Sequence, residues 1–156
     1  RDSALAASGM PISPRMTALI TPHRQRHSKR AGPIGLALME QGYSVLFYTV
    51  MRAIRRVKDT WSRDSKESES EAISALVMPD LLILDEVGIQ FGSETEKLIL
   101  FDILNERYEK RRACILLSNL SIDEVSAFLG ERVIDRLRED GGEVIPFTWE
   151  SHRVKP

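Results

Sequence analysis

Cysteine occurs once in the 156 residues, at Cys114. A single thiol excludes a disulfide within the chain and a zinc site built on cysteines, and such sparing use fits a reducing cytosol. Cys114 stands inside the apolar run Ala113-Cys114-Ile115-Leu116-Leu117, where it is expected as a small buried residue. Long apolar runs are also missing. None approaches the ~18 residues that a membrane-spanning helix needs, so no membrane partner is expected. Residues 4–10 are small and weakly apolar, without the basic leader and apolar centre of a secretory signal. These absences together point to a cytoplasmic protein. Arg1 stands where a methionine would begin a chain, as in a protein whose start lies upstream. Glycine is absent from Thr21-Pro22-His23-Arg24-Gln25-Arg26-His27-Ser28-Lys29-Arg30. This decapeptide is strongly basic, has no apolar residue except proline, and cannot be a core element.

What is present is an ordinary globular composition, 42% hydrophobic and 29% charged, at a length that suits one domain able to bury a core. The net charge of −1 is unevenly spread. Residues 1–63 hold 11 Lys+Arg against 3 Asp+Glu, a balance of +8, and residues 64–156 hold 11 against 20, a balance of −9. A basic half can track the phosphates of a nucleotide or a nucleic acid. The bland alternative is that the two halves neutralise each other across the fold.

The chain is organised around Leu81-Leu82-Ile83-Leu84-Asp85-Glu86. A short apolar run bounded by polar residues suits a strand buried on both faces. Two carboxylates at its tip sit where parallel α/β sheets bind ligands, outside the carboxyl ends of the strands. Asp85 there can hold Mg²⁺, directly or through water, and Glu86 can orient or deprotonate a water for attack on a phosphate. The alternative is a buried strand that ends at an ordinary acidic loop.

Around it the elements alternate. Residues 1–15 read as a linker and 16–20 as a short strand. A helix is expected over 34–41, stopped by Gly42, its beginning weakened by Gly32, Pro33 and Gly35. Residues 44–50 read as a strand and 51–61 as an amphipathic helix, with Tyr48 and Trp61 assigned to the core. A polar loop (62–70) and a short helix (71–77) lead to the acid-tipped strand. Ser93 and Glu96 form a capping box that opens a helix to about Lys110, expected to bury Leu98, Phe101, Leu104 and Tyr108. A buried strand over 113–117 ends at Ser118-Asn119. Ser121 and Glu124 cap a further helix carrying Val125, Phe128 and Leu129. Gly130 breaks it, and a basic helical turn follows over 132–138. Residues 144–147 read as an edge strand because of Pro146. The alternation, with nothing repeated, predicts a three-layer α/β fold with a mainly parallel sheet flanked by helices.

If the strands ending at Asp85-Glu86 and Ser118-Asn119 are neighbours, Asn119 can lie beside Glu86 and hold a water against a γ-phosphate. Arginines grip phosphate oxygens in a fork, and Arg132, Arg136 and Arg138 lie close together, with Arg132 and Arg136 on one helix face. Arg153 lies alone near the end. Each arginine taken singly has a plain alternative as a solvated surface residue.

At these residues the sequence resembles a known family. Residues 81–90 (LLILDEVGIQ), Glu96-Lys97, Leu117-Ser118-Asn119, residues 129–138 (LGERVIDRLR) and residues 147–153 (FTWESHR) are similar to the DnaC-type bacterial helicase loaders. These are AAA+ P-loop ATPases related to the IstB transposition helpers. Residues 35–50 (GLALMEQGYSVLFYTV) fit the helix and second strand of that domain. The resemblance covers residues 32–156, within an AAA+-like domain over 16–156. It implies Asp85 and Glu86 as the Walker B acids, with Asp85 on the metal. It also implies Asn119 as sensor 1, Arg136 as an arginine finger reaching a neighbouring subunit's nucleotide, and Arg153 as sensor 2. It implies ATP and Mg²⁺ as cofactors, and as partners a replicative DnaB-type helicase and single-stranded DNA. A finger acting in trans implies head-to-tail self-association.

One departure is large. The family carries Gly-x-x-x-x-Gly-Lys-Ser/Thr between the first strand and first helix, where backbone N–H groups wrap phosphates and the lysine meets the β/γ oxygens. Here that place is the glycine-free decapeptide, with Lys29 its one lysine, so the domain is degenerate over 21–33. No counterpart of the family's N-terminal helicase-binding domain is expected within residues 1–156. One encoding of His23-Arg24-Gln25-Arg26, CAC CGG CAA AGA, gives Thr-Gly-Lys when read one base later. A compensated frameshift would account for the change, and it requires CAA at Gln25. The sequence therefore implies a helicase-loader ATPase domain impaired in ATP binding and hydrolysis. The alternatives are a non-enzymatic DNA- or partner-binding remnant and an IstB-like transposition helper.

Overall fold

The computed structural model describes residues 16–20, 27–88, 93–139 and 142–146. Five strands form a sheet: β1 (Met16–Ile20), β2 (Val45–Thr49), β3 (Leu81–Val87), β4 (Ala113–Ser118) and β5 (Glu143–Pro146), in the order β2-β3-β4-β1-β5. Every neighbouring pair is parallel, so each connection must cross a face of the sheet. The crossings carry α1 (His27–Glu40), α2 (Val50–Asp59), α3 (Glu69–Val77), α4 (Glu94–Glu109), α5 (Ile122–Leu129) and α6 (Glu131–Arg138). The fold is the α/β architecture that the alternation predicts, and β5, with Pro146, lies at an edge.

The strand of the acid pair lies inside the sheet, between β2 and β4. Leu81, Leu82, Ile83 and Leu84 are all buried, as is every residue of β4. Even-numbered β3 residues face a large apolar cluster with α2 to α6, which includes Ile54, Leu76, Leu82, Leu84, Ile103, Leu104 and Leu137. Odd-numbered ones face a smaller cluster, where Leu81, Ile83, Ile115 and Leu117 meet Ile34 and Leu38 of α1. A side-chain period of two, buried on both faces, is why these strands read as unbroken apolar runs.

Several expectations are corrected. α1 starts at His27 rather than at Ile34, with Pro33 inside it, so the last four residues of the basic decapeptide are helical. Proline removes one intrahelical bond, and docking of Ile34 and Leu38 on the sheet offsets that loss. Gly35 marks close approach rather than a weak start. A Cβ there would stand 3.3 Å from Val45 Cγ1 and 3.6 Å from Ile83 Cδ1. α4 buries Leu104 and packs Phe101 and Tyr108 against the core as expected, but not Leu98. Ile99, Leu100, Ile103, Leu104 and Arg107 are buried, while Leu98 is 61% exposed. Trp61 is exposed as well, its indole N–H donating to Glu69. α3 opens at Glu69, two residues before the expected start, with a full capping box of Ser68 and Glu71, and α5 has the expected one of Ser121 and Glu124.

Arg107 is a fully buried guanidinium. Its Nη1 donates to the carbonyls of Leu76 (2.9 Å) and Val77 (2.8 Å) at the end of α3, and its Nη2 to those of Ala113 and Asp80. The side chain thus satisfies helix-end carbonyls that have no partner of their own. Burial lowers its pKa, yet an arginine stays charged throughout the working range. Burial also pushes the neighbouring Cys114 thiol up to about 11, so it is an inert packing residue.

The amino ends of β2 and β3 are tied by Asp80. Its Oδ2 accepts from the Ser44 hydroxyl (2.7 Å) and the Ser44 N–H (2.9 Å), and its Oδ1 meets Arg112 at 2.5 Å. The Ser44 hydroxyl and N–H, with help from Arg112, hold the Asp80 carboxyl below the ordinary carboxylate range. A carboxylate with a depressed folded pKa stabilises the fold above its unfolded pKa, and that contribution is lost as pH falls through the folded one. Ser44→Ala is therefore expected to cost about 1 kcal/mol at neutral pH. In urea titrations at a series of pH values, the gap to the native chain should close below the ordinary carboxylate range. A gap unchanged with pH would refute this role. Two of the five ion pairs among the described residues, Arg56–Glu67 and Lys58–Glu96, join the basic first half to the acidic second, so part of the charge imbalance is neutralised within the fold.

Candidate functional site

The ends of β1, β3 and β4 meet at the carboxyl edge of the sheet. Ile20 is in register with Ser118, and so is Val87. β1 therefore ends on one side of β4, and the acid pair stands on the other. Residues 21–26 lie outside the described residues, as does Arg153.

The acid pair occupies an irregularity in the sheet. Leu84 pairs with Leu116, and the next aligned pair is Val87 with Ser118. Asp85 and Glu86 thus oppose Leu117 alone, which is the two-against-one count of a β-bulge. Such a bulge bends the strand and re-aims its side chains at the edge of a sheet. Glu86 carries the strain, with φ at +63°, and its N–H donates to Asp85 Oδ1 at 2.8 Å. Asp85 is half-buried and Glu86 exposed.

The turn after the acids is joined to the turn after β4. Ser118, 2% exposed, donates from Oγ to the Val87 carbonyl (2.7 Å) and accepts from the Leu120 N–H (3.1 Å). Gly88 has φ +88°, and a Cβ on it would lie 2.2 Å from Leu120 Cδ1. Asn119 stands between these anchored neighbours. Its Oδ1 is enclosed and has no hydrogen-bond partner among the described residues. An enclosed acceptor without a donor carries a desolvation cost unless something fills the place.

The structure thus brings Asp85, Glu86 and Asn119 to neighbouring strand ends. It does not bring Arg136 there. Its Nη1 donates to Asn105 Oδ1 on α4, and its guanidinium lies over the Tyr108 ring, 5.0 Å from the centroid. The Tyr108 hydroxyl donates to Glu139 at 2.5 Å. Arg132 shares a groove with Arg136, bordered by Tyr108, Glu131, Asp135 and Glu139, as their common helix face predicts. Arg138 is exposed.

Arg107 does not stand out in the motifs of the sequence, and Ser118 and Gly88 stand in them without the roles they have here. Arg107 had a signal, since Leu100, Ile103, Leu104 and Arg107 repeat at the spacing of a buried helical stripe. Gly88 directly follows the strand of the acid pair, where a glycine marks a turn of unusual φ. Ser118 had no local signal.

No group of three or more metal-ligating side chains occurs among the described residues. Mg²⁺ does not require one, since it keeps waters and takes oxygens from bound phosphates beside one or two carboxylates. Asp85 and the open acceptor on Asn119 fit the metal end of a nucleotide site. The phosphate end fits poorly. Glycines let a loop present successive N–H groups to phosphate, and residues 21–30 contain none.

A parallel sheet ordered β2-β3-β4-β1-β5, with an acid pair in the last residues of β3 and an asparagine directly after β4, is the AAA+-like P-loop fold. The comparisons with known proteins agree. The sequence pattern of the IstB-like ATP binding proteins matches residues 18–156, and the chain belongs to that family. It is 38% identical over 118 residues to the replicative helicase loader DnaC of Escherichia coli strain K12, covering 76% of this chain and 48% of that one. With the helicase loader DnaC of Buchnera aphidicola subsp. Baizongia pistaciae it shares 37% over 125 residues, 80% of this chain and 51% of that one. The chain thus spans about half the length of the curated relatives it matches. Its fold matches the crystal structure of a DnaC helicase loader with a TM-score of 0.79 at 17% identity, covering 93% and 85% of the two chains. It also matches the replication initiator DnaA bound to AMPPCP and single-stranded DNA, with a TM-score of 0.76 at 17% identity, covering 96% and 45%.

Proposed function

We propose that this chain is the ATPase-type domain of a DnaC-like helicase loader, impaired in ATP binding and hydrolysis. In this reading its cytoplasmic partners are a replicative DnaB-type helicase and single-stranded DNA. Asp85 holds Mg²⁺, Glu86 orients the attacking water, Asn119 senses the γ-phosphate, and Arg136 and Arg153 contact nucleotide phosphates, Arg136 on a neighbouring subunit. These roles follow the family pattern. The observation that carries the reading is the bulged acid pair beside Asn119, at the carboxyl edge where a phosphate loop should follow β1. The glycine-free sequence in that place supports the impairment. Bound MgATP would supply the phosphoryl group and the cation. This chain's own residues would orient water and metal at Glu86 and Asp85 and close the site at Asn119.

Titration of the purified chain with MgATP tests this. The native chain is expected to bind at least about 100-fold more weakly than a version carrying Gly-x-x-x-x-Gly-Lys-Ser in place of residues 22–29. Equal, tight binding by both would refute the impairment. Failure of the restored version to bind would refute the nucleotide site itself. A transposition-helper role is the second reading, favoured by the family's IstB-like pattern, and the partner captured from cells separates it from helicase loading. A non-enzymatic DNA-binding role would draw on α2, where Arg52 and Arg55 are exposed.

A further inference from the structure

β2 ends the sheet on the side away from β3, and no described strand pairs with it there. Main-chain groups of a parallel strand point alternately to its two sides. The Ser44 carbonyl accepts the Leu81 N–H at 3.0 Å, which turns Ser44, Leu46 and Tyr48 toward β3. Val45, Phe47 and Thr49 therefore point their N–H and C=O groups out at the open edge. Native edges of this kind are commonly blunted by a charge, a proline or a bulge. β2 reads Val-Leu-Phe-Tyr-Thr, with none of these residues, and its register with β3 is unbroken over all five positions.

The two faces that border the edge differ. On one, Phe47 is 39% exposed. α1 crosses that face with Gly35 against Val45, and Met39, one turn further along the same flank, is 55% exposed. On the other face the Arg52 guanidinium of α2 lies over the Tyr48 ring, 4.7 Å from its centroid. Arg52 and Arg55 are exposed, and neither forms an ion pair among the described residues, whereas Arg56 is held by Glu67. The edge thus offers main-chain donors and acceptors in a row, with apolar surface on one face and unpaired positive charge on the other.

We propose that this edge takes an extended segment of a partner protein as a sixth strand, one whose residues alternate between acidic and apolar. Successive side chains of a strand point to opposite faces. Alternation therefore sets carboxylates on the side of Arg52 and apolar groups on the side of Phe47. Main-chain bonds supply the affinity, and the two unlike faces select the partner. A nucleic acid strand fits less well, because its phosphates accept hydrogen bonds but offer no donor to the Val45 and Phe47 carbonyls. The surface uses none of Asp85, Glu86 and Asn119, so it does not rest on nucleotide binding.

The probe is a capped, fluorescein-labelled nonapeptide of alternating glutamate and valine, titrated into the purified chain. Binding with a Kd of about 10–100 µM is expected. At saturation, amide exchange at Val45 and Phe47 should slow at least about ten-fold while Leu46 and Tyr48 stay unchanged. Two further peptides carry N-methyl groups, one on the valines and one on the glutamates. Only one set of amides faces the protein, so one of the two should bind at least about ten-fold more weakly. Arg52→Glu should weaken binding of the parent peptide by a similar factor, with its fold checked by urea unfolding. The methylated peptides need no change to the protein. Absence of binding at about 1 mM would overturn the proposal, as would equal binding of all three peptides or unchanged exchange at Val45 and Phe47. A twelve-residue oligodeoxythymidine that protects the same two amides would also overturn it, marking the edge as a nucleic-acid track.

Discussion

Arg107→Ala is expected to cost the chain about 4 kcal/mol, a large share of the stability of an ordinary domain. The guanidinium is the sole charged group among the fully buried side chains described. It donates to carbonyls from three places in the sequence: the end of α3 at Leu76 and Val77, the turn at Asp80, and the start of β4 at Ala113. Removing it leaves these acceptors facing a cavity in the core, and both the lost bonds and the void are unfavourable. Arg107→Met fills much of the volume but satisfies none of the carbonyls, and should lose nearly as much. Arg107→Lys can reach one or two of them and should recover part. Urea unfolding of the three variants, compared by midpoint at constant slope, measures this. A loss below about 1 kcal/mol for Arg107→Ala would mean that the carbonyls find water instead.

Gly88→Ala is expected to destabilise by about 3 kcal/mol, from two separate causes. Its φ of +88° strains any residue with a Cβ, and the Cβ would stand 2.2 Å from Leu120 Cδ1. The Leu120 side chain is what meets the new methyl, so Leu120→Ala should remove the collision and leave the strain. In a double-mutant cycle the pair should therefore be less damaging than the sum of the singles, with a coupling of at least about 1 kcal/mol. Strict additivity would show that the turn moves aside freely. The position bears on the site as well, because Gly88 and Leu120 flank the acid pair and Asn119, and Ser118 bonds to both turns. A shift here would separate the acids from the asparagine without touching either.

What was legible in the sequence is what local pattern controls. β3 and β4 were plain because both faces are buried and the apolar run is unbroken. The acid pair was plain because polarity changes at a single position, and the box of Ser121 and Glu124 because its bonds are local. The bulge at Asp85 and Glu86 was not, since it exists only in the register with β4. α1 was read short because Pro33 and Gly35 break helices in isolation, whereas here the glycine lets the helix approach Val45 and Ile83. On α4 Leu104 was legible and Leu98 was misplaced, because Leu98 fits a helical period as well as Leu100, Ile103 and Leu104 do. Which stripe faces inward is decided by α2, α3 and α6. Arg107 was passed over because its partners are backbone carbonyls, and a carbonyl has no letter in the sequence.

The place of β1 carries a consequence for how the molecule comes to exist. Among the described residues β1 is the first strand, yet its neighbours are the last two, with Met16 opposite Cys114 and Thr17 opposite Glu143. A ribosome releases it long before either neighbour has been made. Pairings so distant in sequence are slow to form and leave edges open meanwhile. Until β4 emerges, β2 and β3 can assemble with α2 and α3 while β1 stays unpaired. The carboxyl edge where Asn119 follows β4 beside the end of β1 can therefore close only after β4 has emerged, with β5 joining β1 last, and a chain halted before β4 has no such edge at all.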